Sequence, residues 1–236
     1  MYKETRIIQA SELGYNKHVR IKDLIDMIQD IEEAHIESLS VLSKESKAQG
    51  FGIVLNFRYV HIKSWPKNKD MLELTTYPYE TKPFFGYRNT LIHDLMGNLL
   101  VETYCLGSFI HIENKTPHRI SGDILKTLGN RKKHEMTYMG RKISLNRKMA
   151  FVKEAHTTVL PSHLDYYNHL NNAIYVEFAY NVLPMHYQFH TVVCEYKKDF
   201  QLFQKIMLKL YQTEEGFLVQ FFDESGTLYT IIEFMS

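Results

Sequence analysis

Residues 165 to 172 read Asp-Tyr-Tyr-Asn-His-Leu-Asn-Asn, which brings a carboxylate, a histidine and paired asparagines together within eight positions. Those side chains suit attack of water on an acyl ester or thioester, a reaction that needs one group to activate water and others to receive the oxyanion. His169 can serve as base or as orienting donor, while Asp165 can hold the imidazole or polarise water itself. Asn171 or Asn172 can cap a following helix, and the N–H groups at such a helix start can receive a developing negative charge. Losing one oxyanion donor typically removes about 3 kcal/mol of transition-state stabilisation. Taken alone, D-x-x-x-H has little specificity, because Asp, Asn and His are common in loops and at helix starts.

The elements around this loop must therefore position it. A helix is expected from Lys22, where Leu24, Met27, Ile28, Ile31, His35 and Leu39 recur at spacings of three and four. Ile25, Ala34 and Ile36 widen its apolar face, as in a helix wrapped by other structure. Four strand-like segments follow, at 53–63, 71–78, 84–94 and 98–112, separated by turn residues at 65–68 and 96–98. The second half runs similarly: a strand at 151–160, the loop, a helix at 172–183, then strands near 192–198, 205–213, 217–223 and 228–234. Helices do not alternate with strands, which argues for antiparallel sheets and against a parallel α/β fold.

A constant offset of 151 residues aligns Ser11, Leu13, Tyr15 and His18 with Ser162, Leu164, Tyr166 and His169. The same offset carries Leu24, Met27, Ile28 and Ile31 onto Tyr175, Phe178, Ala179 and Val182, so corresponding helix faces are apolar. The chain reads as a duplication. Its copies differ where chemistry is concerned, since Asp165 stands opposite Gly14, and Asn171-Asn172 opposite Arg20-Ile21. Expected boundaries are a first unit at 1–118, a connection at 119–150 and a second unit at 151–236. Between 126 and 148 the connection carries eight Lys or Arg residues and a single acid, Glu135.

Composition narrows the remaining choices. A net charge of +1 provides no global attraction to nucleic acid or anionic membrane. No apolar run approaches a membrane span, and Met1 to Gln9 lacks the apolar core of a secretion signal. Cys105 and Cys194 lie in apolar strand segments and read as buried free thiols, in keeping with a cytoplasmic location. G-x-S-x-G, P-loop and G-x-G-x-x-G motifs are absent, and the His186/His190 pair follows Pro184 without an H-E-x-x-H, so no metal or cofactor is expected.

With these residues in view, the chain resembles the acyl-acyl carrier protein thioesterases of plants and bacteria. That family opens its second helix with D-x-N-x-H-x-N-N-x-x-Y, matched here by Asp165, His169, Asn171, Asn172 and Tyr175. Its E-Y-R-R-E-C-like strand corresponds to Glu195-Tyr196-Lys197-Lys198-Asp199-Phe200, and the first half is similar around Gly86-Tyr87-Arg88-Asn89. The resemblance implies an α+β fold of two tandem hot-dog units, each an antiparallel sheet wrapped around a central helix. It further implies hydrolysis of fatty acyl-acyl carrier protein in fatty acid biosynthesis, with Asp165, His169 and Asp199 as the catalytic set and Tyr167, Asn171 and Asn172 around the oxyanion. Three positions depart from the pattern. The motif asparagine is Tyr167, the strand carboxylate is the shorter Asp199, and the neighbouring cysteine is Phe200, which removes any thiol nucleophile there. These departures keep open a second reading, a non-catalytic acyl-thioester-binding or regulatory protein on the same scaffold.

Acyl carrier protein is the implied partner. Because such carriers are acidic, Arg131, Lys132 and Lys133 in the connection form a candidate docking surface, and a homodimer is compatible with the reading. The resemblance also implies an apolar tunnel between helix and sheet, with Met27, Ile31, Phe57 and Phe85 as candidate lining residues.

Overall fold

The computed structural model describes all residues from Met1 to Ser236. Two compact units divide the chain, one comprising Met1–Arg20 with Asp26–Tyr138 and the other Ile21–Ile25 with Met139–Ser236. In the first, the opening turn of α1 apart, the elements in order are β1 (Tyr2–Ile7), α1 (Ile21–Ser38), α2 (Ser40–Gln49), β2 (Phe51–Ile62), β3 (Met71–Lys82), β4 (Phe85–Asp94), β5 (Leu99–His111) and α3 (Gly122–Thr127). Its strands pair antiparallel in the order β1-β3-β4-β5-β2. The second holds β6 (Ala150–Thr158), α4 (Asn172–Asn181), β7 (Thr191–Tyr196), β8 (Lys205–Gln212), β9 (Gly216–Phe222) and β10 (Leu228–Met235). Here the order is β6-β8-β9-β10-β7, the same path strand for strand.

The expected apolar face of α1 is realised, with Leu24, Ile25, Met27, Ile28 and Ile31 all buried. Two elements escaped the sequence pattern. Strand β1 has mostly exposed, charged side chains, and α2 buries only Leu42. Helix α2 ends at Gly50, whose left-handed φ of 64° suits glycine at a helix C-terminus. The chain then enters β2 at Phe51, which joins Leu42, Phe109, Ile120, Ile124 and Leu128 in a cluster that seats α3. Met27, Ile31 and Phe57 belong to the packed interior, and Phe85 is half-buried.

Beneath α1 the interior is ionic as well as apolar. Arg58 donates twice to Glu32, at 3.1 and 2.7 Å, and Thr90 donates to the same carboxylate at 2.7 Å. Arg88 donates to the Glu32 carbonyl at 3.1 Å, to the Thr76 hydroxyl at 3.1 Å and to His35 Nδ1 at 3.2 Å. A guanidinium can only donate, so His35 accepts at Nδ1 and carries its proton on Nε2. Burial first, and the Arg88 charge second, push the His35 imidazole down to about 4. Its folded pKa thus lies below the ordinary 6.5, and the unfolded chain binds the proton more readily. Stability is expected to fall as pH drops from the ordinary histidine range toward the depressed folded value, by on the order of 2 kcal/mol. Urea unfolding of wild type and His35→Gln across that range checks this; equal slopes for the two proteins would reject it.

The basic connection is tied down at several points, while most of its basic side chains stay exposed. On the first unit, Arg131 N–H donates to the Pro78 carbonyl at 2.9 Å, and His134 N–H to Asn89 Oδ1 at 3.2 Å. His134 Nε2 lies 3.2 Å from the buried Glu102 carboxylate, and the Tyr138 hydroxyl meets Asn89 and the His134 carbonyl. On the second unit, Ile143 N–H donates to Glu195 at 2.8 Å, while Arg147 pairs with Glu233 and, at 3.3 Å, with Glu215. Strand alternation puts Glu102 on the sheet face opposite Cys105 and Glu195 opposite Cys194, so the connection covers outer faces. Of its candidate docking residues, Lys133 sits 3.4 Å from the centre of the Tyr138 ring, and Arg131 and Lys132 are exposed.

Candidate active site

The candidate loop is a compact hydrogen-bonded device. After β6, a short 3-10 turn at Pro161–His163 is closed by His163 Nδ1, which accepts from Leu160 N–H at 3.1 Å. Asp165 N–H donates to the His169 carbonyl at 2.8 Å, and Asn168, at φ 62°, donates to the Asp165 carbonyl at 3.0 Å. Asp165 Oδ1 accepts from Tyr167 N–H at 2.9 Å and from His169 N–H at 3.0 Å. One carboxylate oxygen therefore holds the loop shut, in the manner of an Asx turn.

Asn171 caps α4, its Oδ1 accepting from Ala173 N–H at 2.7 Å, and its carbonyl accepts from Ile174 N–H at 3.0 Å. Two amides at the helix start, expected as oxyanion donors, are thus already bonded. The Asn172 carbonyl accepts from the Tyr196 hydroxyl at 3.2 Å, and the Tyr175 hydroxyl accepts from Phe200 N–H at 3.1 Å, so α4 is pinned to the end of β7. Burial drives the Tyr175 hydroxyl's pKa up, keeping it neutral in this role.

The first copy builds the same loop without the acid. Gly14 N–H donates to His18 O at 2.8 Å, Lys17 at φ 64° donates to Gly14 O at 3.0 Å, and Arg20 N–H to Glu12 O at 2.9 Å, matching Asn171 N–H to His163 O at 3.0 Å. There Asn16 Oδ1 takes the His18 amide at 3.1 Å, the task that Asp165 performs in the second copy. The following turn also repeats: Ile8 bonds to Asp70 and Lys69, as Val159 bonds to Gln204 and Phe203. This register makes Trp65 the counterpart of Asp199 and Pro66 that of Phe200. In the first copy the His18 ring meets Trp65 edge-on at 6.2 Å. The corresponding pair in the second copy is His169 and Asp199.

Asp165 and His169 are half-buried, and Asp199 is exposed. Tyr167 is 59% exposed, its ring 4.1 Å from that of Tyr166, and its hydroxyl accepts from Tyr166 at 3.0 Å. Phe200 is wholly buried and stacks on Tyr229 at 4.2 Å, filling the family's cysteine position with an aromatic ring. No three His, Cys, Asp or Glu side chains converge in a metal-holding group, and no helix is long and apolar enough to cross a membrane.

Two five-strand antiparallel runs that follow the same path, each preceded or interrupted by one buried helix, α1 or α4, and related by an internal repeat, define a tandem hot-dog fold. Residues 1–128 match the acyl-ACP thioesterase N-terminal domain and residues 146–231 the C-terminal domain, and the chain belongs to the acyl-ACP thioesterase family. No curated protein sequence matches it. Among solved structures it is similar to an acyl-ACP thioesterase from Bacteroides thetaiotaomicron, with a TM-score of 0.84 at 14% identity over 99% of this chain and 96% of that one. A 12:0-ACP thioesterase from Umbellularia californica gives 0.81 at 15% identity, with the same coverage of 99% and 96%.

Proposed function

We propose that the chain hydrolyses the thioester of fatty acyl-acyl carrier protein, releasing a free fatty acid and the carrier's phosphopantetheine thiol. The observation that carries this is the repeat itself. Two loops with the same backbone hydrogen bonds occur, and only the second carries an acid at the Gly14 position, an acid at the Trp65 position and a helix capped by an asparagine. Because Asp165 commits one oxygen to the Tyr167 and His169 amides, Asp199 is assigned as base and Asp165 as the residue that positions the loop. Water attacks the thioester carbonyl carbon as Asp199 takes its proton. Donors on Asn171, Asn172 and the Tyr167 hydroxyl receive the oxyanion. Collapse then breaks the C–S bond, and His169 conveys the proton to the departing sulfur.

The test is release of free thiol from a panel of acyl-carrier protein and acyl-CoA substrates of graded chain length. Turnover on the panel is the expected result. Binding without turnover at every length would support the non-catalytic acyl-thioester-binding reading, which the exposed Tyr167 and the buried Phe200 favour.

Arg131, Lys132 and Lys133 are proposed as the charge that attracts an acidic carrier. Lys133 also packs on Tyr138, so Arg131→Ala/Lys132→Ala is the cleaner variant. It should raise KM for acyl-carrier protein about threefold at low salt, and the difference should vanish at high salt as screening grows. An unchanged KM at low salt would remove these residues from the docking surface.

A further inference from the structure

The turn that follows the proposed base presents apolar side chains to solvent. Leu202 is 41% and Phe203 65% exposed, and Phe203 N–H donates to Val159 O at 2.9 Å, which brings the turn alongside Leu160, itself 46% exposed. Phe203 adopts φ 63°, a left-handed backbone that is uncommon for a bulky side chain. The first copy makes the same turn with the same bonds, and there the two positions are Asn68 and Lys69, with Lys69 at φ 66°. Backbone geometry therefore does not require the leucine and phenylalanine. Positive charge is common to both turns: Lys63, Lys67 and Lys69 in one, Lys197, Lys198 and Lys205 in the other. The apolar pair is what the second copy adds, in the unit that carries the candidate chemistry.

We infer that Leu202, Phe203 and Leu160 form the apolar centre of the surface on which acyl carrier protein docks. The inference rests on the thioesterase reading and names the partner surface of that same site. Leu202 lies three residues beyond Asp199, so a protein delivering a thioester to that carboxylate passes over this turn. Its basic surroundings suit an acidic partner: Lys198 lies 5.6 Å over the Tyr229 ring, and Lys205 makes only an exposed pair with Glu224 at 3.0 Å. Exposed ion pairs of that kind exchange partners readily. A solvent-facing aromatic is the residue type enriched at the centre of a protein contact, and charged residues such as these lysines belong to its rim.

The experiment transplants the first copy's turn. Leu202→Asn/Phe203→Lys places at each position the residue that already occupies the same backbone in this chain, and circular dichroism and thermal melting should match wild type. KM for acyl-carrier protein should rise at least about tenfold, the order expected for losing a central aromatic contact, with kcat/KM for acyl-CoA unchanged. Fluorescence titration with holo-carrier protein should show the same loss of affinity, independently of turnover. An unchanged carrier KM and affinity would overturn the inference. So would an equal loss on acyl-CoA, a wild-type dimer that the variant converts to monomer, or vesicle binding that the variant abolishes. A wild type that binds carrier protein through this turn yet cleaves no thioester would instead overturn the hydrolase reading.

Discussion

His169→Ala is expected to lower kcat for acyl-carrier protein about a thousandfold, within the range ascribed to a positioned acid–base group, while KM changes little. The fold should survive, because it is the backbone N–H and carbonyl of His169, bonded to Asp165, that close the loop. Two companions sharpen the result. His18→Ala, at the corresponding place in the first copy, should leave turnover intact. Asp165→Asn keeps an oxygen to accept the Tyr167 and His169 amides, so it should stay within a few fold of wild type, whereas Asp199→Asn should lose about a hundredfold or more. Full turnover in His169→Ala would remove the loop from the chemistry; collapse in Asp165→Asn with activity in Asp199→Asn would exchange the two carboxylates' roles.

The second large effect is on stability. Glu32 is an acidic partner of the buried guanidinium of Arg58 and also lies beside that of Arg88. Burial alone would raise its pKa, but the Arg58 charge and hydrogen bonds, then Arg88 and Thr90, hold it below the usual carboxylate range. Glu32→Gln should therefore destabilise the protein by about 3–5 kcal/mol, since it leaves cations buried without their counter-charge. Adding Arg58→Met should recover part of the loss, and the double variant should fall short of the summed singles. Urea midpoints measure all three. A Glu32→Gln cost under about 1 kcal/mol would mean that water or rearrangement compensates the network. The depressed carboxylate pKa also means that this contribution is present above the ordinary Glu range and is lost as pH falls through the folded value.

How far the sequence could be read depended on what kind of force holds each element. The apolar face of α1, the long strands and the turn residues carry periodicities of 3.6 and 2, and those were legible. Strand β1 was not, because an edge strand that exposes Lys3, Glu4 and Thr5 has no apolar alternation to detect. Helix α2 was missed for a related reason, as only Leu42 anchors it. The outer-face connection is fixed by Glu102, Glu195 and Glu233 taking up main-chain and basic groups, and polar clamps leave no pattern along the chain. Glu32, Arg58 and Arg88 are likewise scattered over three elements, so nothing local links them.

The candidate loop stood out because duplication placed Asp165 against Gly14. Its internal division of labour could not be read that way. That Asp165 ties down two amides, and that Ala173 and Ile174 amides are already engaged, are facts of hydrogen-bond geometry. The proposed pairing of His169 with Asp199 likewise rests on the turn register that makes Asp199 the counterpart of Trp65, which meets His18.

The twice-built loop gives this molecule an internal standard. Any change made near Asp165 can be repeated near Gly14 on an equivalent backbone, in the same tube and at the same concentration. Damage to folding should then register in both copies, and damage to chemistry in one.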